Sequence, residues 1–196
     1  MPQEKLNSGD LLLLFLYSKG TGLDVNEPIS GKTRLVKMAF LFEKEIYKNF
    51  VQDKVLIDEK DLPEFFPWNF GPMSRDVLQD LEFFIDIGFV ESIEEKDTFA
   101  YEEAEEFSSL DKEELLQEPE DLENEFVNYK YLLTKLGEEY IQEKIIPSLS
   151  ENQIKILQEL KRRLNGAPLI KILKYVYETY PDSAKKSKIA TKVASA

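Results

Sequence analysis

The sequence predicts a mainly α-helical protein with a small β-hairpin, and three observations support this fold class. Apolar residues recur at helical spacing along most of the chain, and many of these segments follow a Ser, Thr or Pro that suits a helix start. Two short segments, near residues 90 and 130, are typical of strands instead. Hydrophobic residues make up 42% of the sequence and aromatic residues 12%, which is too apolar for a disordered chain.

The first two helices are predicted from their caps and apolar stripes. Ser8 is placed to cap a helix through Tyr17, and residues 11–16 are apolar all round, so this helix should be central or lie at a subunit contact. A second helix is predicted over residues 31–48, with a buried stripe of Leu35, Met38, Ala39, Phe42 and Ile46. The lysines predicted on its opposite side are Lys37, Lys44 and Lys48.

An aromatic segment and a third helix come next. Residues 50–72 contain three prolines and an aromatic cluster around Trp68, which predicts an extended, well-packed loop. The cluster suits either the core, which we favour, or the lining of a ligand pocket. Ser74 is predicted to cap the third helix, which should end at Gly88. Its predicted apolar face consists of Val77, Leu78, Leu81, Phe84 and Ile85.

The hairpin and the C-terminal helices complete the prediction. Residues 89–93 should pair with residues 128–133, and Thr134 should cap a helix that stops at Pro147. Ser150 is predicted to cap a helix over 151–164, and Pro168 to begin another that reaches Tyr180. Tyr175 and Tyr177 flank the apolar stripe of that last helix and suit either the core or a dimer contact.

These elements predict how the chain is divided. Residues 1–147 should form one domain that carries an insert at 94–128. Residues 148–181 should form a helical hairpin packed on it, and residues 182–196 a flexible basic tail. The apolar run near the N-terminus is shorter than the ~20 residues that a membrane span needs, and no small-residue cleavage site follows it. We therefore expect a cytoplasmic protein.

The net charge of −13 is concentrated in the insert. Residues 94–128 hold fifteen acidic and two basic residues, so the rest of the chain is neutral overall. A solvated loop that only aids solubility is the favoured interpretation, and an electrostatic contact for a basic partner protein is the functional one. The residues that we select for that contact are Glu102, Glu103, Glu105, Glu106, Glu113 and Glu114.

Composition and motifs argue against catalysis and cofactors. The chain has no Cys and no His, which removes thiol nucleophiles, sulfur-ligated metals and the commonest general base. No calcium-loop pattern appears, and no carboxylate pair stands out among the 38 acidic residues. Residues 31–33 (Gly-Lys-Thr) resemble the end of a phosphate-binding loop, but Asn26 occupies the first glycine position, so we interpret them as a helix start. We expect no enzyme, no cofactor and no metal.

The predicted order of elements, three helices followed by a strand, a turn and a strand, is that of a winged helix. Residues 31–38 (Gly-Lys-Thr-Arg-Leu-Val-Lys-Met), 70–74 (Phe-Gly-Pro-Met-Ser) and 81–90 resemble the YwgA-like proteins of bacteria and archaea. They are more distantly similar to the Panacea domain of SocA-like antitoxins. Residues 131–137 (Tyr-Leu-Leu-Thr-Lys-Leu-Gly) resemble the strand-to-helix exit of many winged-helix regulators.

The resemblance covers roughly residues 8–147 without the acidic insert. It implies a winged-helix-like core and a non-catalytic domain, which in Panacea relatives would neutralise a toxin by direct contact. It assigns no catalytic residue. A protein-binding module of unknown partner is therefore the first expectation, and a DNA-binding transcriptional regulator, dimeric in form, is the alternative.

The third helix disfavours ordinary DNA recognition. It offers Arg75 and Gln79, but also four carboxylates that would face phosphates: Asp76, Asp80, Glu82 and Asp86. The acidic insert occupies the place of the wing. If DNA binds through another surface, the candidate contacts are Lys37, Lys44, Lys48, Arg75, Lys161, Arg162 and Arg163. A solvated helix face is the favoured interpretation of these cations.

Overall fold

The structure, a computed structural model, describes residues 5–94 and 129–195. It confirms a mainly α-helical protein with a small antiparallel sheet. Within these two ranges, no helix is long and apolar enough to span a bilayer. The candidate insert beyond Glu94 lies outside the described residues.

Helix α1 (Ser8–Tyr17) lies at the centre of the core, as predicted from its apolar run. Residues Leu11 to Leu16 are at most 2% exposed. The cap, however, is Asn7, whose side chain accepts the backbone N–H of Asp10 while the Asp10 carboxylate accepts the N–H of Asn7. Ser8 is the first helical residue, and its hydroxyl donates to Asp80 instead.

The second predicted helix is interrupted by a π-helical turn. Helix α2 (Lys32–Leu41) continues through the π turn Phe42–Ile46 into helix α3 (Tyr47–Phe50). The extra residue of a π turn rotates the side chains that follow it around the helix axis. As a result Phe50 is fully buried, whereas Ile46 is only partly buried.

The aromatic segment forms a second hairpin where a loop was predicted. Strand β2 (Phe66–Trp68) pairs antiparallel with strand β3 (Gly71–Met73), after a short 3-10 turn at Glu59–Asp61. The Phe65 ring meets the Phe40 ring edge-on at 5.3 Å, and Phe66 meets Trp68 at 5.9 Å. Phe65 therefore packs against α2, whereas Phe66 and Trp68 are only partly buried.

Helix α4 (Arg75–Asp86) and the predicted hairpin follow. Ser74 caps α4 and accepts the N–H of Val77, and Gly88 ends the turn at φ +74°. Strand β4 (Val90–Glu94) then pairs antiparallel with strand β5 (Tyr129–Leu133). A short strand that was not predicted, β1 (Ile29–Ser30), pairs with the other side of β5, so the sheet order is β1-β5-β4.

The C-terminal helices pack on this core. Thr134 caps helix α5 (Lys135–Tyr140), which passes through a second π turn, Ile141–Ile145, and a 3-10 turn, Ile146–Ser148. Ser150 caps helix α6 (Glu151–Asn165) with a capping box to Gln153. Pro168 precedes helix α7 (Leu169–Thr179), whose buried side is Ile172, Leu173 and Val176.

Residues 182–196, predicted as a flexible basic tail, include most of two further short helices. Helix α8 (Pro181–Ala184) and helix α9 (Ala190–Ser195) lie against α7. Ile189 and Val193 are each 1% exposed and form a small core with Leu173. Phe70, in the turn of the aromatic hairpin, packs against the same core. The apolar residues of this segment pack against α7 and the aromatic hairpin, so the chain folds back onto the core.

Candidate partner-binding face

Two of the seven predicted nucleic-acid contacts are buried. Lys37 is 1% exposed and Lys161 is 0% exposed. The Lys37 ammonium donates to the carbonyl of Pro72 at 2.8 Å, and the Lys161 ammonium donates to the carbonyl of Leu16 at 2.7 Å. The prediction that both lie on a solvated face is therefore wrong. Each lysine instead donates a hydrogen bond to a main-chain carbonyl inside the protein, so neither side chain is available to contact DNA.

The environment of Lys161 shifts its acid-base behaviour. Burial lowers the pKa of the Lys161 ammonium from 10.5 to about 7, and the nearby Glu27 carboxylate opposes this shift only in part. Glu27 accepts hydrogen bonds from the Gly22 N–H and from the Asn165 amide. These bonds help to lower the pKa of Glu27, although burial acts in the opposite direction. Lys161 therefore changes charge near neutral pH.

We expect the stability of the protein to rise with pH above about 7. The unfolded chain holds the Lys161 proton up to its ordinary pKa of 10.5, while the folded chain releases it near 7. The free energy of unfolding should therefore increase by at most about 1.4 kcal/mol per pH unit in that window. Urea unfolding at several pH values between about 7 and 9 measures this slope. In Lys161→Met the rise should disappear, and equal slopes in the two proteins would contradict the assignment.

The other five predicted cations are exposed. Lys44 pairs with Glu43 at 2.6 Å, and Arg163 pairs with Glu45 at 3.0 Å. Arg75 stacks over the Phe66 ring, and Arg162 pairs with Glu159 within its own helix. Glu45 belongs to the π turn Phe42–Ile46, which also contains Lys44. Its ion pair with Arg163 therefore places Arg163 beside this turn, and Lys48 lies in the helix that follows it. Arg75 lies apart from this group, on α4.

Glu45 connects Arg163 to two tyrosines of the C-terminal helices. Its carboxylate accepts the hydroxyls of Tyr175 at 2.8 Å and Tyr180 at 3.2 Å, in addition to the Arg163 guanidinium. The hydrogen bond to Glu45 raises the pKa of Tyr175, and burial raises the pKa of Tyr180 to about 12. Both tyrosines therefore serve as donors that hold α7 against the π turn. Tyr175 is 43% exposed, so it lies at the surface and outside the core.

Two of the four carboxylates predicted to face phosphates on α4 are turned toward the protein. Asp76 accepts the backbone N–H of Glu64 at 2.8 Å, and Asp80 accepts the Ser8 hydroxyl at 2.7 Å. Burial raises the pKa of the Asp80 carboxyl. Glu82 and Asp86 remain on the exposed side, where Glu82 pairs with Lys32 at 3.7 Å. The outer side of α4 is thus less acidic than its sequence suggests, yet acids still dominate its second half.

The feature that the sequence analysis missed is a group of exposed apolar residues beside these acids. Phe83 is 55% exposed and Ile87, one helical turn later, is 41% exposed. Leu136, which is 53% exposed, lies in the first turn of α5. The Thr134 hydroxyl, two residues before it, donates to the carbonyl of Gly88 at 2.6 Å, so this turn lies beside the end of α4. The name α4 face is used below for Gln79, Glu82, Phe83, Asp86, Ile87 and Leu136.

Phe83 rests on a series of aromatic rings that leads into the core. Its ring meets Phe84 at 5.4 Å, Phe84 stacks on Phe89 at 6.1 Å, and Phe89 contacts Tyr140 at 5.1 Å. Edge-on and stacked aromatic contacts add roughly 0.5–1.5 kcal/mol each beyond the burial of their surface. Phe83 is therefore an exposed aromatic residue on a rigid base, which is typical of the residues that contribute most to protein interfaces.

The ligand pocket that was the alternative interpretation of Trp68 stays a prediction. An open cleft of about 310 Å³ lies nearby, between α7, α8 and α9, and Trp68 does not line it. Its walls are formed mainly by Tyr177, Pro181, Ala184 and Val193. The Gly-Lys-Thr motif begins α2: the Gly31 N–H donates to the carbonyl of Tyr129, and Asn26 bonds to Leu133. Among the described residues, no group of His, Cys, Asp or Glu could hold a metal ion.

Comparison with known proteins adds no relative to this description. No protein-family model, curated protein sequence or solved structure matches the chain. Function must therefore be inferred from the α4 face itself.

Proposed function

We propose that the protein is a non-catalytic protein-binding module that contacts its partner through the α4 face. The observation that carries this proposal is the exposure of Phe83 and Ile87, one turn apart at the end of α4. Complete burial of an exposed side chain of this kind contributes roughly 1.5–3 kcal/mol, and burying the exposed half of Phe83 and Ile87 contributes about half of that each. Exposed apolar residues that lie side by side mark interaction surfaces more often than singly exposed ones do.

The acidic segment at residues 94–128 belongs to the same proposal. It continues the chain directly from β4, the strand that follows α4, and carries fifteen acidic residues. We infer that it attracts a basic partner at long range, while the α4 face supplies the short-range contact. Glu102, Glu103, Glu105, Glu106, Glu113 and Glu114, the residues selected from the sequence for this role, lie outside the described residues. The resemblance to Panacea domains suggests toxin neutralisation as the biological form of this activity.

A DNA-binding regulator of the winged-helix type is the second candidate function. The sheet order β1-β5-β4, with β1 between the first two helices, supports it, as do Arg75 and Gln79 on the exposed side of α4. Against it, Glu82 and Asp86 would face the phosphates in the second half of that helix. Two of its predicted contacts, Lys37 and Lys161, are also buried.

The proposed function is tested by capture of partners from native lysate with wild type and a Phe83→Ser/Ile87→Ser variant. We expect the variant to lose the partner that wild type retains, because both residues are exposed and their replacement leaves the core intact. Mass spectrometry identifies what is lost. Val55→Ser, at another exposed apolar position, is the matched control and should retain the partner.

Two results would contradict the proposal. The first is equal capture by wild type and the Phe83→Ser/Ile87→Ser variant. The second is a gel shift on random duplex DNA at low salt that weakens steeply as salt is added, since this is the behaviour of a DNA-binding protein. Thermal unfolding of both variants ensures that any loss of binding reflects the surface.

A further inference from the structure

We propose that the partner element that docks on the α4 face is a cationic amphipathic helix. This inference rests on the proposed function and names the chemistry of the partner. It starts from the charge around the apolar residues: residues 76–94 contain six acidic residues and no Lys or Arg. Glu82 and Asp86 are exposed and alternate with Phe83 and Ile87 along the outer side of α4.

The arrangement of apolar groups indicates a helical partner. Phe83 and Ile87 form a stripe along the axis of α4, and Leu136 is exposed on α5, whose cap Thr134 is hydrogen-bonded to Gly88 just past the end of that helix. A helix that packs beside α4 meets such a stripe with apolar residues spaced three and four apart. Its flanking positions then face the carboxylates of Glu82 and Asp86, where Lys or Arg is favourable and Asp or Glu is repelled.

The salt bridge between Lys32 and Glu82 does not oppose the docking of such a helix. Lys32 reaches Glu82 at 3.7 Å, and both side chains of that pair are well exposed, at 39% and 63%. An exposed pair of this kind contributes little to stability, so a cation from the partner can replace it at low cost. Binding therefore needs no rearrangement of the core.

A second copy of the chain is a poor occupant for this face. A two-fold dimer brings the same surface patch of both subunits together. It would bring together two patches that each carry Glu82 and Asp86, and like charges in an interface are unfavourable. A cationic partner avoids this repulsion.

Two synthetic helical peptides test the inference on the full-length protein. Both carry the same Leu stripe, one with Lys and the other with Glu at the flanking positions, and fluorescence anisotropy reports binding. We expect the wild type to bind the Lys peptide at least ten-fold more tightly than the Glu peptide. The double variant Glu82→Lys/Asp86→Lys should bind the Lys peptide at least ten-fold more weakly than the wild type does.

A matched control separates the α4 face from the overall negative charge of the chain. Glu143→Lys/Glu178→Lys changes two exposed acids elsewhere and alters the net charge by the same amount. This control should reduce binding of the Lys peptide far less than Glu82→Lys/Asp86→Lys does. Phe83→Ser/Ile87→Ser should also lose the Lys peptide. Equal weakening by the two charge variants would overturn the inference, because the peptide would then only sense net charge.

The outcomes distinguish this inference from the proposed function. If capture of the native partner requires Phe83 and Ile87 but is unaffected by Glu82→Lys/Asp86→Lys, the proposed function stands and the inference of a cationic helix is wrong. If capture is independent of Phe83 and Ile87, the proposed function itself fails. A dimer in light scattering that Phe83→Ser/Ile87→Ser converts to a monomer would instead identify a second copy as the occupant, and would also overturn the inference.

Discussion

Replacing Gly137 by Ala should lower the free energy of unfolding by about 3 kcal/mol, because the new methyl group has no space. A Cβ atom at this position would overlap the carbonyl oxygen of Phe89 and lie 3.3 Å from the Leu133 side chain. The Phe89 carbonyl cannot move away easily, since it accepts the N–H of Thr134 at 2.9 Å. Urea unfolding measures the loss, which should exceed the gain of about 1 kcal/mol that Ala brings to a helix.

Gly9→Ala is the matched control for this prediction. Gly9 is also a helical glycine, but a Cβ there would meet the ring of Phe84 at 3.0 Å rather than a backbone atom. A ring can shift by a few tenths of an ångström, so we expect a change within about 1 kcal/mol. Equal effects of the two substitutions would show that the Gly137 contact does not hold α5 against the turn.

Arg34→Met should destabilise the protein by about 3 kcal/mol, because it removes the donor from two carbonyls at the end of α6. The Arg34 side chain is 7% exposed, and its guanidinium contacts the carbonyls of Leu164 and Ala167, the latter at 2.6 Å. Met fills a similar volume and cannot donate. The loss should therefore report the unsatisfied carbonyls more than a cavity.

Arg34→Lys and Lys48→Met provide the controls. A lysine keeps the charge but lacks the planar group of donors that arginine has, so Arg34→Lys should lower the free energy of unfolding less than Arg34→Met does. Lys48 is an exposed cation near the end of the same helical segment, and its replacement should change stability by less than about 0.5 kcal/mol. An Arg34→Met protein as stable as Lys48→Met would refute a structural role for the buried guanidinium.

The parts of the fold that were predicted from the sequence are those that local signals determine. Ser74, Thr134 and Ser150 cap helices as expected, and Gly88 adopts the positive φ that its position after α4 indicated. Caps and turn residues act on backbone groups within a few positions, so one stretch of sequence contains the whole signal. The pairing of β4 with β5 followed from the two short apolar segments.

The buried cations show where local signals fail. Lys37 and Lys161 occupy helix positions that look solvent-facing from the sequence, yet each donates to a carbonyl far away in the chain. The acceptors are 35 and 145 residues distant, respectively. A lysine that satisfies a main-chain carbonyl has no neighbouring sequence pattern to announce it, so only the tertiary structure separates it from a solvated lysine.

The α4 face was missed for a related reason. The helical pattern correctly places Val77, Leu81 and Phe84 on the buried side. Phe83 and Ile87 fall outside that stripe at helical spacing from each other, a signal that was present but was assigned no role. An apolar pair on the polar side of a predicted helix is the pattern that would have indicated the face before the structure was known.

The side chain of Asn26 substitutes for a strand residue beside β5. Asn26 accepts the backbone N–H of Leu133 at 2.7 Å and donates to its carbonyl at 2.9 Å, as a neighbouring strand would. With Ile29 paired to Tyr131, and the Gly31 N–H bonded to the carbonyl of Tyr129, this side of β5 is occupied along its length. An occupied strand edge cannot template the addition of a strand from another molecule. The Asn26 amide therefore extends the pairing of β5 beyond the two-residue strand β1, because it takes the place of a further paired residue.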